Sequence, residues 1–471
     1  MKMLLAGEFV EGKKKIEVKY PYDGTVVDTV PEAVEADVEK ALTAAVEGAK
    51  TMKKMPIWKR VEILHKTAKL LSDRQEEFVK VLIKEVGKTL REATAEVQRT
   101  IDLLDLCAEE AKRLHGETLP FEAFQESVTK RGYFFREPCG VVVAIVPFNV
   151  PLALCAHKVG PAVAAGNAII VKPSSKAPLC NIMLGECFLE AGMPAEALSV
   201  LTGYGDTVGI KLISDKRVRV ISFTGNVQTG ETIAKNAGIK KLVFELGSNC
   251  PLIVAESGNL ERAVDATIKG GFALAGQLCN SVKRVYVHKK LYTTFVDLLV
   301  EKVKTLVIGD PQEKSTDMGP VIDEDNAKRI ITWIEEALQA GALLAVGGKR
   351  NFTLVEPTIL LEVPKGTKLM TEEPFGPVIA VNSFVNFDEA INEANSTRYG
   401  LQAGVFTSNI QEAFKAIEEL AFGGVMINEG PRYRADWMPY GGYKDSGIGR
   451  EGVRFAIEEM TELKTVIFDL R

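Results

Sequence analysis

The stretch GVVVAIVPFNVP, residues 140–151, decides the fold class. Its first half is short and apolar throughout, which suits a strand buried on both faces rather than one lying on a solvated surface. Four more segments of this kind follow at intervals of about 20–30 residues: AIIVK (168–172), LSVLTG (198–203), VRVISFTG (218–225) and LVFEL (242–246). Helix-like sequence separates them. Buried strands alternating with helices predict an α/β fold with a doubly wound parallel sheet. In such sheets ligands lie beyond the carboxyl ends of the strands, which is where Asn149 stands.

Residues 35–118 are rich in Ala, Glu, Lys and Leu, with Val61, Leu64, Ala68 and Leu71 at helical spacing, so this region reads as long helices. A second α/β series follows Cys279. There YTTFVDLLVEKVKTL (292–306) and RIITWIEEALQAG (329–341) read as helices, and VIAVNSF (378–384), GVFT (404–407) and GVMIN (424–428) as strands. Residues 121–138 and the terminal ELKTVIFDLR (462–471) look like sheet edges, which seldom stay unpaired, so association of copies is expected.

Composition narrows the function. The chain has 471 residues, 46% hydrophobic and 26% charged, enough for two or three globular domains. A net charge of -5 without a run of Lys and Arg argues against nucleic-acid or membrane-surface partners. Seven scattered cysteines with no C-x-x-C pair suggest neither a disulfide framework nor a metal site, and predict a reducing compartment. The short apolar run in MKMLLAGEFVEGKKK is broken by Gly7 and Glu8 before any signal-length core, so a cytoplasmic location is expected.

Several residues could carry chemistry. Cys279, in GGFALAGQLCNSVKRVYVH (270–288), stands between a small-residue helix and a strand; it is either a buried small hydrophobe or a nucleophile. Asn149 is either a turn residue or a donor to a developing oxyanion. Lys172 ends an apolar strand, where it either reaches solvent or meets a phosphate or ribose. The strand before Gly225 breaks there and enters a helix near Val227, and the exposed N–H groups at that end suit a pyrophosphate. Glu245 is a cap or surface group, or a buried carboxyl tuned as a general base. Glu373 precedes the rigid Pro-Phe-Gly-Pro turn at 374–377. The G-x-G-x-x-G pattern GIGREG (447–452) follows GGYKDS rather than a strand, and reads as a decoy.

The blocks VPFNVP, KPSSKAP, FTGNVQTG, FELGS, GQLC, EEPFGPV and PYGGYKDSGIGREG occur in this order across residues 146–452. Together they resemble the aldehyde dehydrogenase superfamily, nearest in appearance to its lactaldehyde and other small-aldehyde members. The resemblance implies an NAD(P)-binding domain (1–119 and 139–247, with 446–459), a catalytic domain (248–445) and an oligomerisation element (120–138 and 460–471). It implies assembly as homodimers or homotetramers. It matches Cys279 to the nucleophile, Glu245 to the general base, Asn149 to the oxyanion donor and Lys158 to a lysine near the base's water. For the cofactor it implies contacts from Lys172, Ser175, Lys176, Gly205, Gly225, Asn226, Gly230, Glu373, Phe375 and Phe148. The activity implied is that of an EC 1.2.1-type enzyme: oxidation of an aldehyde to the acid through a thiohemiacetal and a thioester.

Two departures from the family pattern bear on specificity. NAD-preferring relatives commonly carry a glutamate where Ser175 stands here, followed by Lys176; this favours NADP, with NAD as the alternative. Asn226 replaces the usual serine of the pyrophosphate turn. Arg432 and Arg434, in INEGPRYRADWMPYGG (427–442), are either surface arginines or ligands for an anionic tail. The resemblance of this loop and of the blocks around Cys279 to small-aldehyde members implies a short hydroxylated or anionic aldehyde. A CoA-acylating dehydrogenase is the alternative within this class, disfavoured by Glu245. A cysteine hydrolase would need one of the histidines at 65, 115, 157 or 288 beside Cys279.

Overall fold

Five parallel strands form the centre of the first sheet, in the spatial order Leu198–Val200, Ala168–Lys172, Val141–Ile145, Val218–Thr224, Lys241–Glu245. The computed structural model describes all 471 residues. Chain order along this row reverses at Val141–Ile145, so the switch point lies between its carboxyl end and that of Val218–Thr224. These are the five apolar segments read from the sequence, and nearly all their side chains are buried. Met3–Leu5 and Glu8–Val10 extend one edge antiparallel, and Gly447–Ile448 extends the other. Lys15–Lys19 pairs with Val26–Pro31 in a hairpin of its own. These early strands form no part of the sequence expectation; Met3–Leu5 and Glu8–Val10 span only three residues each, too few to show a period.

Four helices, Glu35–Lys54, Ile57–Asp73, Gln75–Val86 and Leu90–Ala111, occupy the region read as helical. The last begins at a capping box: Thr89 Oγ1 accepts from the Glu92 N–H, and Glu92 Oε2 accepts from the Thr89 N–H. A fifth helix, Pro151–Ala165, is buried along its whole length because it is apolar all round, and Pro151 suits its first position.

The second sheet runs Leu343–Val346, Thr358–Leu361, Val378–Phe384, Val282–His288, Cys250–Val254, Gln402–Phe406, Gly424–Ile427, parallel except for its first strand. Each sheet has its own apolar core, of 80 and 41 buried residues, which makes two globular units with a cleft between them. The two stretches read as sheet edges pair with each other. Lys130–Pro138 and Thr461–Asp469 form a nine-residue antiparallel ladder, with Glu117–Thr118 on its far side. Tyr133, Leu463, Ile467 and Phe468 remain exposed on it. No helix is long and apolar enough to cross a membrane.

Candidate active site

Cys279 follows the helix Leu260–Phe272 and a turn at Ala273–Gly276, and precedes the strand Val282–His288. The turn is left-handed at three successive residues, with φ of 49° at Leu274, 50° at Ala275 and 69° at Gly276. For a residue with a Cβ this conformation costs about 1–2 kcal/mol, so surrounding contacts must hold it. A Cβ on Gly276 would lie 2.2 Å from the Gly376 carbonyl oxygen, so only glycine allows the two turns to approach this closely. The thiol makes one side-chain contact, 3.2 Å from Tyr440 Oη. Burial pushes it up to about 12, with the tyrosine hydrogen bond as the leading opposing influence.

Asn149 lies past the switch-point strand. Its Nδ2 donates to the Gln277 carbonyl (2.9 Å) and its Oδ1 accepts from the Val150 N–H (3.0 Å). One Nδ2 hydrogen remains, and the Cys279 N–H has no acceptor within the chain. The helix starting at Pro151 has no cap of its own; Glu96 Oε1 accepts from the Leu152 and Ala153 N–H groups at 2.9 and 3.1 Å. A carboxylate at a helix N-terminus satisfies orphan donors and matches the helix dipole. Lys88, 2.9 Å from Glu96 Oε2, balances its charge.

Glu245 ends its strand with both carboxyl oxygens buried and without a hydrogen-bond partner. Burial, then the charge of Glu451, raise its pKa well above the carboxylate range. Glu451 goes the other way: although burial opposes it, the charges of Lys158 and Arg434 hold it ionised. The two carboxyls are thus pushed in opposite directions, the pattern that separates acid and base roles. Lys158, expected near the base's water, is engaged by side chains. Its three donors go to Glu451 (2.8 Å), Thr224 (2.8 Å) and Ser222 (3.2 Å).

A cavity of about 820 Å³ opens beside the thiol, lined by Asn149, Cys279 and Tyr440 among others. Six cations line it: Lys88, Arg91, Arg99, Lys269, Arg432 and Arg434. Four are paired, Lys88 with Glu96, Arg91 with Asp317, Arg99 with Asp436 and Arg434 with Glu451. Arg432 and Lys269 have no carboxylate partner. The structure therefore separates the two arginines read together in the sequence: Arg434 also stacks 3.8 Å over the Tyr440 ring and is a fixed part of the wall. His157 contacts Arg99, Arg434 and Asp436 rather than Cys279. Burial pushes it down to about 4. The thiol's only side-chain hydrogen-bond partner is Tyr440, so no imidazole serves it and the hydrolase alternative falls.

The other candidate residues gather around the carboxyl ends of the first sheet. Lys172 is buried, donates to the Pro173 carbonyl at 2.9 Å, and is lowered to about 8 by burial. Asn226 caps the helix Val227–Ala237, its Oδ1 accepting from the Thr229 N–H at 2.8 Å, which leaves its amide N–H₂ outward. Gly225 and Gly230 pack where a Cβ would strike the Phe223 ring (2.4 Å) and Leu246 (2.9 Å), whereas Gly205 faces open space. Glu373 accepts from the Ser248 N–H at 2.9 Å, and burial raises it to about 7. Phe148 and Phe375 meet edge to face, with centroids 5.9 Å apart. Ser175 lies beside Lys176, whose ammonium is paired with Asp323 of the facing domain.

The aldehyde dehydrogenase family model matches residues 9–466. The chain belongs to the aldehyde dehydrogenase family. Among its relatives, the 3-sulfolactaldehyde dehydrogenase of Priestia megaterium is 42% identical over 464 residues, covering 98% of this chain and 97% of that one. Aldehyde dehydrogenase 21 from Physcomitrella patens, solved with the reaction product succinate, superposes with a TM-score of 0.97 at 38% identity, over 100% of this chain and 98% of the other. The glyceraldehyde-3-phosphate dehydrogenase of Methanocaldococcus jannaschii, complexed with NADP, gives a TM-score of 0.94 at 40% identity, over 97% and 100%. This aldehyde dehydrogenase is an oxidoreductase of the EC 1.2.1 type. Sequence reasoning missed Tyr440 and Glu451. Both stand in PYGGYKDSGIGREG, and Glu451 belongs to the very GIGREG pattern taken as a decoy for phosphate binding.

Proposed function

We propose that this aldehyde dehydrogenase oxidises a short anionic aldehyde to its carboxylic acid, with NADP as cofactor and covalent adducts on Cys279. The observation that carries the reading is one cavity holding a thiol, amide donors and two cations without carboxylate partners. The residues present fit a dinucleotide: a buried ammonium at Lys172, an N-terminal helix end at Asn226, a buried carboxyl at Glu373 and an aromatic edge from Phe148 and Phe375. The three relatives above are named for, or solved with, sulfonate-, carboxylate- and phosphate-bearing compounds, which supports an anionic substrate.

The Cys279 thiolate adds to the aldehyde carbon, while the free Nδ2 hydrogen of Asn149 and the Cys279 N–H donate to the oxyanion. Arg432, with Lys269, holds the anionic end of the substrate. Lys172, Asn226 and Glu373 would hold NADP, which would supply the hydride acceptor needed to convert the thiohemiacetal to a thioester. Glu245, in its ionised form, takes the proton of the water that hydrolyses the thioester; the burial that raises its pKa also makes that carboxylate a stronger base. Glu451, Lys158 and Arg434 fix the charge around Glu245 rather than exchanging protons themselves.

The test compares kcat/KM, by NADPH absorbance, for 3-sulfolactaldehyde, succinate semialdehyde and glyceraldehyde 3-phosphate with lactaldehyde and glycolaldehyde. A charge-assisted hydrogen bond of about 1.5–3 kcal/mol predicts a preference of about 10- to 100-fold for an anionic aldehyde, most of it lost in Arg432→Met. Cys279→Ala abolishes turnover. Equal or better use of the neutral aldehydes would sink the substrate reading, and turnover by the alanine variant would sink the mechanism. The exposed apolar side chains of the terminal ladder are further assigned to contact between copies; light scattering then gives a multiple of 51.4 kDa, and a monomer's mass refutes it.

A further inference from the structure

The turn that presents Cys279 is held by two charged side chains that the proposed chemistry does not use. From the first domain, Glu92 Oε1 accepts the Leu274 N–H at 2.6 Å. From the second, the buried ammonium of Lys283 donates to the Gly276 carbonyl at 2.7 Å and to the Gly376 carbonyl at 2.6 Å. Two carbonyls in and just after the turn are engaged as well. The Leu274 carbonyl accepts from the Gln277 backbone and side chain, and the Gln277 carbonyl takes the Asn149 amide.

Leu274 and Ala275 are left-handed without being glycine, and so is Phe375, with φ of 44°, in the neighbouring turn. Strained backbone of this kind persists only where its surroundings over-determine it. Glu92 and Lys283 are those surroundings. Glu92 is itself fixed by its capping box with Thr89, and Lys283, which burial lowers to about 7 against the charge of Glu373, is held by its two carbonyl acceptors. Lys283 thus ties the nucleophile's turn to the turn that carries Glu373 and Phe375.

We propose that Glu92 and Lys283 are positioning residues for the nucleophile, clamping the left-handed turn Leu274–Gly276 from opposite sides of the cleft so that the Cys279 thiol reaches Tyr440. This rests on Cys279 being the nucleophile, and the two inferences fail separately. Loss of turnover in Cys279→Ala tests the first, and alkylation of Cys279 in the absence of substrate tests the second.

The experiment measures the rate of iodoacetamide modification of Cys279, by peptide mass spectrometry, together with kcat and the KM for NADP. Glu92→Ala releases the Leu274 N–H, so alkylation and kcat fall at least about fivefold while the KM for NADP stays put. Glu92→Gln keeps a carbonyl acceptor and recovers both to within about threefold of the native rates. Lys283→Met lowers both rates and also raises the KM for NADP, because the Gly376 carbonyl is released as well. A merely structural role would lower the melting temperature of Glu92→Ala without rescue of the rates by glutamine. Should Lys283→Met fail to fold, the two Glu92 variants decide alone, since Glu92 is only half-buried. Alkylation within twofold of native in folded Glu92→Ala, or no recovery in Glu92→Gln, overturns the proposal.

Discussion

Replacing Tyr440 by Phe removes one hydroxyl and leaves the ring on which Arg434 stacks at 3.8 Å. In the native cleft that hydroxyl lies 3.2 Å from Cys279 Sγ and is the leading influence favouring the thiolate, against burial that pushes the thiol up to about 12. A hydrogen bond to a charged group contributes about 1.5–3 kcal/mol, or about one to two pKa units. At a fixed pH below the pKa, the thiolate fraction therefore falls about 10- to 100-fold. The more basic thiolate is the stronger nucleophile, and a Brønsted slope of about 0.4–0.5 offsets nearly half of the logarithmic loss. The net expectation is an iodoacetamide reaction at Cys279 slowed about 4- to 15-fold in Tyr440→Phe. Pseudo-first-order labelling near neutral pH, followed on the peptide that carries Cys279, measures it directly. A phenylalanine variant that alkylates at the native rate or faster would refute the assignment of Tyr440 as the thiolate's donor.

Cofactor affinity should depend on pH with two limbs. Glu373, raised to about 7 by burial, accepts ribose hydroxyls best when ionised, so affinity falls as pH drops through about 7; Lys172, lowered to about 8 by burial, loses its charge as pH rises through about 8. Fluorescence titration with NADP then gives a maximum between these values, and Glu373→Gln flattens the acid limb; an unchanged acid limb contradicts the placement. Asp323 neutralises Lys176, so Asp323→Asn frees a cation for the 2′-phosphate and improves the ratio of NADP to NAD kcat/KM by about two- to fivefold, the scale of a partly exposed charge pair. A ratio unchanged or reduced in Asp323→Asn places the 2′-phosphate elsewhere.

The buried parallel strands were legible in the sequence because nothing else explains runs such as GVVVAIV and AIIVK at regular intervals. The long helices were legible for the same reason, from period. Met3–Leu5 and Glu8–Val10 were not, since three-residue edge strands carry no period, whereas the alternation in Lys15–Lys19 was legible and went unread. Cys279, Asn149 and Glu245 were found through ordered motifs, and the structure does place the thiol and the amide on one cavity. What the sequence did not show was who holds whom. The separation of Arg432 from Arg434 depends on Glu451, some 17 residues further on and delivered by a two-residue edge strand. The engagement of Lys158 depends on the same carboxylate. The turn before the nucleophile looked like ordinary helix in ALAG, and its left-handed backbone comes from tertiary contacts with Glu92 and Lys283 that no local propensity encodes.

The claim that most depends on the geometry is that Cys279 carries the acyl group and Glu245 releases it. Intact-protein and peptide mass spectrometry of Glu245→Gln, quenched after mixing with NADP and succinate semialdehyde, tests both at once. The account predicts about one NADPH per subunit, then a stall of about 100-fold or more in turnover, with the acyl mass on the Cys279 peptide. Continued turnover at the native rate, or a burst of NADPH with Cys279 unmodified, would contradict it.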